Sequence, residues 1–260
     1  MSDETKLIDQ ALDARESPER VVSVWLRDDD ATGVTDLQNH FFDLCNTGGI
    51  APLIAVIPDA VGDDLAHAAA DWAISSRVAV HGWSHTNHSA VGANKSEFGA
   101  DRCPEEVKAE LVAGHARLRE LFGEYLLPVF VPPWNRIADV HLARVHDAGF
   151  RGLSTYAGQH RATAASHGLH LANTHVDLVD WTGGRKPLPV GAVTSAFAAA
   201  ITRYPTVGIL SHMLGDHAVD TREALSTIAD IVAASGRLRW TTPDEVFGIA
   251  QSSSGLGAIT

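Results

Sequence analysis

The chain predicts an α/β fold built on parallel strands, either an open sheet or a closed barrel, and three observations carry that expectation. Apolar runs of strand length alternate with helical stretches along the whole sequence, the pattern of strands joined by crossover helices. Polar clusters stand where those runs stop, and in such folds the chemistry gathers at the carboxyl ends of the strands. Hydrophobic residues make up 45% of the 260 and charged residues 20%, enough for a sizeable core and too apolar for global disorder.

Taken in order, residues 1–20 read as a helical extension, 21–250 as one barrel-sized domain and 251–260 as a frayed serine-rich tail. The run 21–26 is β-rich and breaks at Arg27-Asp28-Asp29-Asp30. Residues 36–45 look helical, 51–57 form a second strand stopped by Pro58, and alanine-rich 60–76 has a helical pattern. A third strand at 77–80 runs straight into His81, and 82–103 is a loop long enough to be functional. Pro104-Glu105-Glu106 opens an amphipathic helix to residue 122, with proline in the first turn and acids at its positive end. A strand at 127–131 is halted by Pro132-Pro133, and 138–148 is helical. Strands are expected at 152–155, 169–176, 206–211 and 237–241, helices at 190–204 and 221–235 and after Pro243.

Charge and cysteine content exclude several classes. Lys plus Arg number 20 against 32 Asp plus Glu, a formal net charge of −12, which lacks the basic footprint of a nucleic-acid binder. No apolar stretch approaches the length of a membrane span, so no membrane partner is expected. Cys45 and Cys103 form no framework, and the polar, acidic start carries no basic and apolar leader pattern; both point to a cytoplasmic protein. The expected partner is a small-molecule or carbohydrate substrate, with the oligomeric state open.

Five short segments carry chemistry. Three consecutive carboxylates, Asp28 to Asp30, repel one another, and a metal would absorb that repulsion while an adjacent acid serves as base. His81-Gly82-Trp83-Ser84-His85 spaces two imidazoles four apart, able to converge on one ion if the segment turns helically. Pro132-Pro133-Trp134-Asn135-Arg136 is a rigid turn offering an indole as pocket wall and a guanidinium to orient a carboxylate. Asp177 and Asp180 flank a turn ending in Trp181, placed to orient catalytic groups. His212 ends an apolar run, positioned to act as a general acid, with Asp216 and His217 nearby for support.

In this order the segments resemble the motif series of the polysaccharide deacetylase (NodB-homology) family. Arg27-Asp28-Asp29-Asp30-Ala31 is similar to its T-F-D-D-G, His81 to His85 to H-[ST]-x-x-H, and Val131-Pro132-Pro133-Trp134 in part to R-x-P-[YW]. Asp177 to Trp181 match D-x-x-D-W, and Leu210-Ser211-His212 match L-x-H. The resemblance spans residues 21–213 and implies a distorted (β/α) barrel, commonly of seven strands. It implies a metal-dependent hydrolase of amide C–N bonds, acting on an N-acetylated carbohydrate or soluble sugar derivative. An amidase on a small non-sugar amide or nitrogen heterocycle is one alternative; a non-catalytic sugar- or metal-binding barrel is another.

Carried over residue by residue, Asp29 is the base, His212 the general acid, and Asp30, His81 and His85 the ligands of a divalent metal. Zinc is the first choice, with cobalt, manganese, nickel and iron as alternatives. The pair Asp28/Asp29 is the other register; Asp29/Asp30 is preferred because Ala31 then replaces the family's glycine and Arg27 its threonine. Trp83, Trp134 and Trp181 would wall the pocket. Val131 stands where the family has its arginine, leaving Arg27 or Arg136 to take that place, and Gly82 replaces a hydroxyl residue.

Overall fold

A computed structural model describes residues 3–72, 75–160, 163–215 and 217–249; Asp216 and the tail over 251–260 lie outside the described residues. The chain runs α1 (Asp3–Asp13), β1 (Val22–Ala31), α2 (Gln38–Gly48), β2 (Pro52–Val56), α3 (Asp63–Ala68) and β3 (Arg77–His81). It continues with α4 (Pro104–Phe122), β4 (Leu126–Val131), α5 (Leu142–Asp147), β5 (Gly152–Leu153), β6 (His170–Leu171) and β7 (Val176–Asp177). The last part holds β8 (Val179–Asp180), β9 (Lys186–Pro187), α6 (Val190–Arg203), β10 (Thr206–Ser211), α7 (Arg222–Ala234), β11 (Leu238–Trp240) and α8 (Pro243–Phe247).

The parallel strands lie in the order β6-β5-β4-β3-β2-β1-β10-β7. Both ends of that order belong to one stretch of chain. On one side His170, Ala172 and Thr174 donate to the carbonyls of Arg151, Leu153 and Thr155; on the other His175 and Leu178 donate to Gly208 and Leu210. This stretch closes the sheet into a distorted (β/α) barrel of seven staves, with β11 beside the first residues of β1. It splits into two short strands, not the single one expected over 169–176, because Asn173 in its middle bonds to the 155–159 loop instead.

Strand alternation sorts the core into two layers. Val24, Leu26, Ile54, Val78, Val80 and Phe130 face outward under the helices. Trp25, Leu53, Ala55, Ala79, Leu127 and Val129 face inward, and α8 plugs that end of the barrel with Phe247. Its ring meets Trp25 edge-on at 5.8 Å. The absent side chain at Gly152 makes room, since a Cβ there would lie 2.7 Å from the Phe247 ring. A capping box between Thr242 and Glu245 fixes where α8 begins.

Two expected helices come out shorter. Among its described residues the stretch 60–76 yields α3 and a 3-10 turn, Ala69–Asp71; alanine supplies propensity, but Leu65 is the one buried residue within α3. Over 138–148 a 3-10 turn, Asp139–His141, precedes α5. At the N-terminus α1 packs on α6 through Ile8, Ala11 and Leu12, and Arg237 pairs with Asp9 and Asp13. Among the described residues no helix is long and apolar enough to cross a membrane.

Candidate metal centre and catalytic cleft

Inside the barrel, β1 climbs from Trp25 through Arg27 to Asp29, all on the inward face. Regular alternation would send Asp30 outward with Asp28. The pairing of β1 with β2 slips between Asp28 and Ala31, a bulge, and Asp30 adopts a positive φ of 69°. The bulge re-aims Asp30 into the same opening as Asp29. Gly215 is required beside it, because a Cβ there would stand 2.0 Å from the Asp30 carbonyl oxygen.

Asp30 meets the two histidines. Its Oδ1 lies 3.1 Å from His81 Nε2 and 3.2 Å from His85 Nε2, and one donor atom from each of the three residues falls within 4.8 Å of the others. His81 Nδ1 donates to the Val131 carbonyl at 2.9 Å, which turns Nε2 toward Asp30. Two ligands ~2.1 Å from a common ion and about a right angle apart stand ~3 Å from each other, so these separations fit a divalent metal held by two imidazoles and a carboxylate. Burial opposes ionisation of Asp30, yet the hydrogen bonds of His81 and His85 hold its carboxyl well below the usual range. Burial likewise opposes charge on His81, and the neighbouring Asp29 and Asp30 carboxylates outweigh it and raise its pKa.

The histidines converge without a helical turn. His81 ends β3, Gly82 bends the chain at φ 66°, and His85 follows at φ 56°. Buried Glu97 holds that bend, accepting the Ser84 amide at 2.8 Å and the Trp83 amide at 3.3 Å. A Cβ at Gly82 would lie 2.1 Å from Glu97 Oε2 and 2.6 Å from Pro133. Glycine in place of a hydroxyl residue is thus the space that Glu97 occupies. His88 is exposed and outside the cluster.

Arg27, wholly buried, grips Asp29 with both ends of its fork: Nε to Oδ1 at 2.8 Å and Nη2 to Oδ2 at 2.9 Å. Ser154 Oγ and Asn135 Oδ1, each at 2.6 Å, fix the guanidinium in turn. Arg136 is exposed and donates instead to the Lys95 carbonyl. Asp28 faces away from the opening. Its carboxylate accepts Ser211 Oγ at 2.6 Å, Met213 N at 2.8 Å and Leu214 N at 3.0 Å, pinning the segment that carries His212. Burial pushes its pKa up to about 7 against the pull of those donors. The carboxylate that joins the histidines is therefore Asp30, and the Asp28/Asp29 register would place the base where the fold has an anchor.

A cleft of about 840 Å³ opens above these groups, lined among others by Asp29, Asp30, His81, His85, Trp134, Asp177, Trp181 and His212. His212 is buried, with the Trp181 ring edge-on at 4.7 Å. Asp177 accepts Trp181 Nε1 and Val179 N; burial raises its pKa, moderated by the charge of His212. Asp180 caps its own turn through Thr182 and Gly183, and those donors, the Gly183 amide foremost, lower its pKa. Trp83, expected as a wall, does not line the cleft, because Gly82 turns the chain toward Glu97; Pro133 packs behind that bend.

No family model and no curated protein matches the chain. Solved structures do. The Bc1960 peptidoglycan N-acetylglucosamine deacetylase superimposes with a TM-score of 0.61 at 17% identity, over 88% of this chain and 89% of its own. The fold is that of the NodB-type deacetylases. A family 4 carbohydrate esterase from Streptomyces lividans, in complex with acetate, gives 0.53 at 17% identity over 85% and 91% of the two chains. A family 4 acetyl xylan esterase from Clostridium thermocellum, in complex with a cobalt ion, gives 0.54 at 16% identity over 86% and 90%.

On this deacetylase fold, several cleft residues carry no local sequence signal. Arg185 reaches within 3.5 Å of Asp30 Oδ2, and Lys95, Asn135 and Tyr156 also line the opening. Asp30, His85, Trp134, Asn135 and Arg185 share positive φ values between 54° and 69°, and all five line the cleft. Such conformations cost of order 1–3 kcal/mol each and concentrate where the surrounding structure holds them for a purpose.

Proposed function

We propose that the protein is a metal-dependent hydrolase that removes the acyl group from an N-acetylated carbohydrate or soluble sugar derivative. The observation that carries this reading is the convergence of Asp30, His81 and His85 beside the Arg27–Asp29 pair, in one cleft with His212. The deacetylase fold, shared with a peptidoglycan deacetylase and a cobalt-bound acetyl xylan esterase, supports it. Two imidazoles and a carboxylate suit zinc first, and cobalt, nickel, manganese or iron as well.

An ion at that site supplies Lewis acidity, which makes water a stronger acid and draws charge from the amide carbonyl. Asp29, held in orientation by the Arg27 fork, accepts the proton of the attacking water. His212 delivers a proton to the departing amine as the C–N bond breaks, leaving acetate and the free amino sugar. Asp28 keeps His212 in place through the Ser211, Met213 and Leu214 donors. Trp134 and Trp181 offer aromatic faces to a sugar ring. Val131, where the family has its arginine, favours a non-catalytic barrel, and the pairing of Arg27 with Asp29 speaks for the hydrolase instead. We place the protein in the cytoplasm, in keeping with two free cysteines, one buried and one exposed.

Acetate release from N-acetylglucosamine oligomers and small amides tests the assignment. Asp29→Asn and His212→Ala are expected to keep bound metal and lose about 10²–10⁴-fold in turnover. An unchanged hydrolysis rate in either variant rejects that residue's role.

A further inference from the structure

We propose that the substrate carries a phosphate ester, and that Lys95, Arg136 and Arg185 read it at the mouth of the cleft; this rests on the hydrolase reading above. The chain as a whole is acidic, with a net charge of −12. Yet three cations from three separate loops line this one opening: Lys95 before α4, Arg136 after β4, and Arg185 between β8 and β9. Lys95 and Arg136 meet no carboxylate among the described residues. Arg136 Nη1 donates to the Lys95 carbonyl at 3.1 Å, which sets the guanidinium beside the lysine backbone. The Lys95 ammonium lies 5.8 Å over Trp134.

At Trp181 the arrangement repeats, with the Arg185 guanidinium 5.2 Å over the indole. Its Nη2 stands 3.5 Å from Asp30 Oδ2, too long for a firm hydrogen bond, and its buried Nε has no partner. Acids also line the mouth, and most of their oxygens are engaged. Asp177 takes Val179 N and Trp181 Nε1, Asp180 takes the amides of Thr182 and Gly183, and Asp29 takes Arg27. Left facing the opening are these three cationic side chains, beside the neutral amides of Asn135 and Gln159. Two guanidinium forks and an ammonium suit a dianionic phosphate, whereas a neutral glycan would use the indole faces and leave these charges unanswered.

The test compares acetate release from N-acetylglucosamine, its 1-phosphate, its uridine diphosphate ester and N-acetylmuramic acid by the metal-loaded protein. It adds calorimetric binding of glucosamine 1-phosphate, and repeats both with a Lys95→Ala/Arg136→Ala double variant. Expected is a kcat/KM about tenfold or more higher for the phosphorylated sugars, shrinking with added salt and largely lost in the double variant. The better of the 1-phosphate and the nucleotide ester identifies the source of the phosphate. Equal rates on the neutral sugar, or preference for N-acetylmuramic acid, overturn phosphate recognition while the hydrolase reading stands. If nothing releases acetate, the hydrolase reading fails and calorimetry decides alone: binding weakened about tenfold in the double variant upholds the phosphate site, and no binding overturns it.

Discussion

The two halves of the barrel interior are built from the same strands and differ in what holds them. Below, Trp25, Leu53, Ala79, Val129 and Phe247 pack as an apolar plug. Above, two and four residues on along β1, Arg27 and Asp29 replace that packing with a buried ion pair, and the bulge at Asp30 opens it toward the cleft. The plug tolerates change in proportion to the volume lost. The polar half does not, because each group there is kept in place by a partner that cannot be removed alone. Stability thus resides in one end and chemistry in the other, and substitutions separate them.

The sharpest break comes from Arg27→Met, which leaves Asp29 buried and uncompensated. It is expected to cost about 3–5 kcal/mol and to abolish turnover together. Phe247→Ala, at the opposite end, is expected to cost a similar ~3–5 kcal/mol while the remaining folded protein keeps its metal affinity and kcat. Urea unfolding alongside turnover per folded molecule separates the two, and a Phe247→Ala protein that folds but loses metal would merge the halves. A smaller effect is expected at Gly82→Ala, where the new Cβ displaces Glu97 or Pro133 and splays the histidine bend. Metal affinity should fall about 10–100-fold, read by competition with a chelator, with a stability loss of about 1–3 kcal/mol from the strained backbone.

A pH-dependent effect concerns Asp28. Its folded-state pKa is raised to about 7 from an ordinary 3.8, so between those values the folded chain holds a proton that the unfolded chain has released. Its contribution to stability is therefore intact below 3.8 and declines as pH rises toward 7. Asp28→Asn is expected to flatten that decline in the urea midpoint against pH. An identical slope in wild type and variant contradicts it.

What was legible in the sequence followed from local pattern. His81 and His212 stand directly after apolar runs of strand length, and the order of strands and helices follows from their alternation. The convergence of Asp30 with Asp29 was visible only as a run of acids, since the bulge that turns Asp30 depends on pairing with β2. Two arginines were open as the partner of Asp29. Arg27 takes that place because Asn135, 108 residues away, and Ser154 fix its guanidinium, a contact no local window contains. Glu97, Lys95 and Arg185 lie on loops whose composition marks turns and nothing more. Alanine-rich 60–76 misled for the reverse reason: propensity was present, yet the helix holds only over Asp63–Ala68 before it tightens into a 3-10 turn.

Metal content of the purified chain is the most direct measurement, taken by elemental analysis after loading and exhaustive dialysis. Wild type and Asp29→Asn are expected to retain a single divalent ion per chain, and Asp30→Ala, His81→Ala and His85→Ala to retain almost none while staying folded. Full occupancy in all three variants contradicts the shared site, and with it the hydrolase.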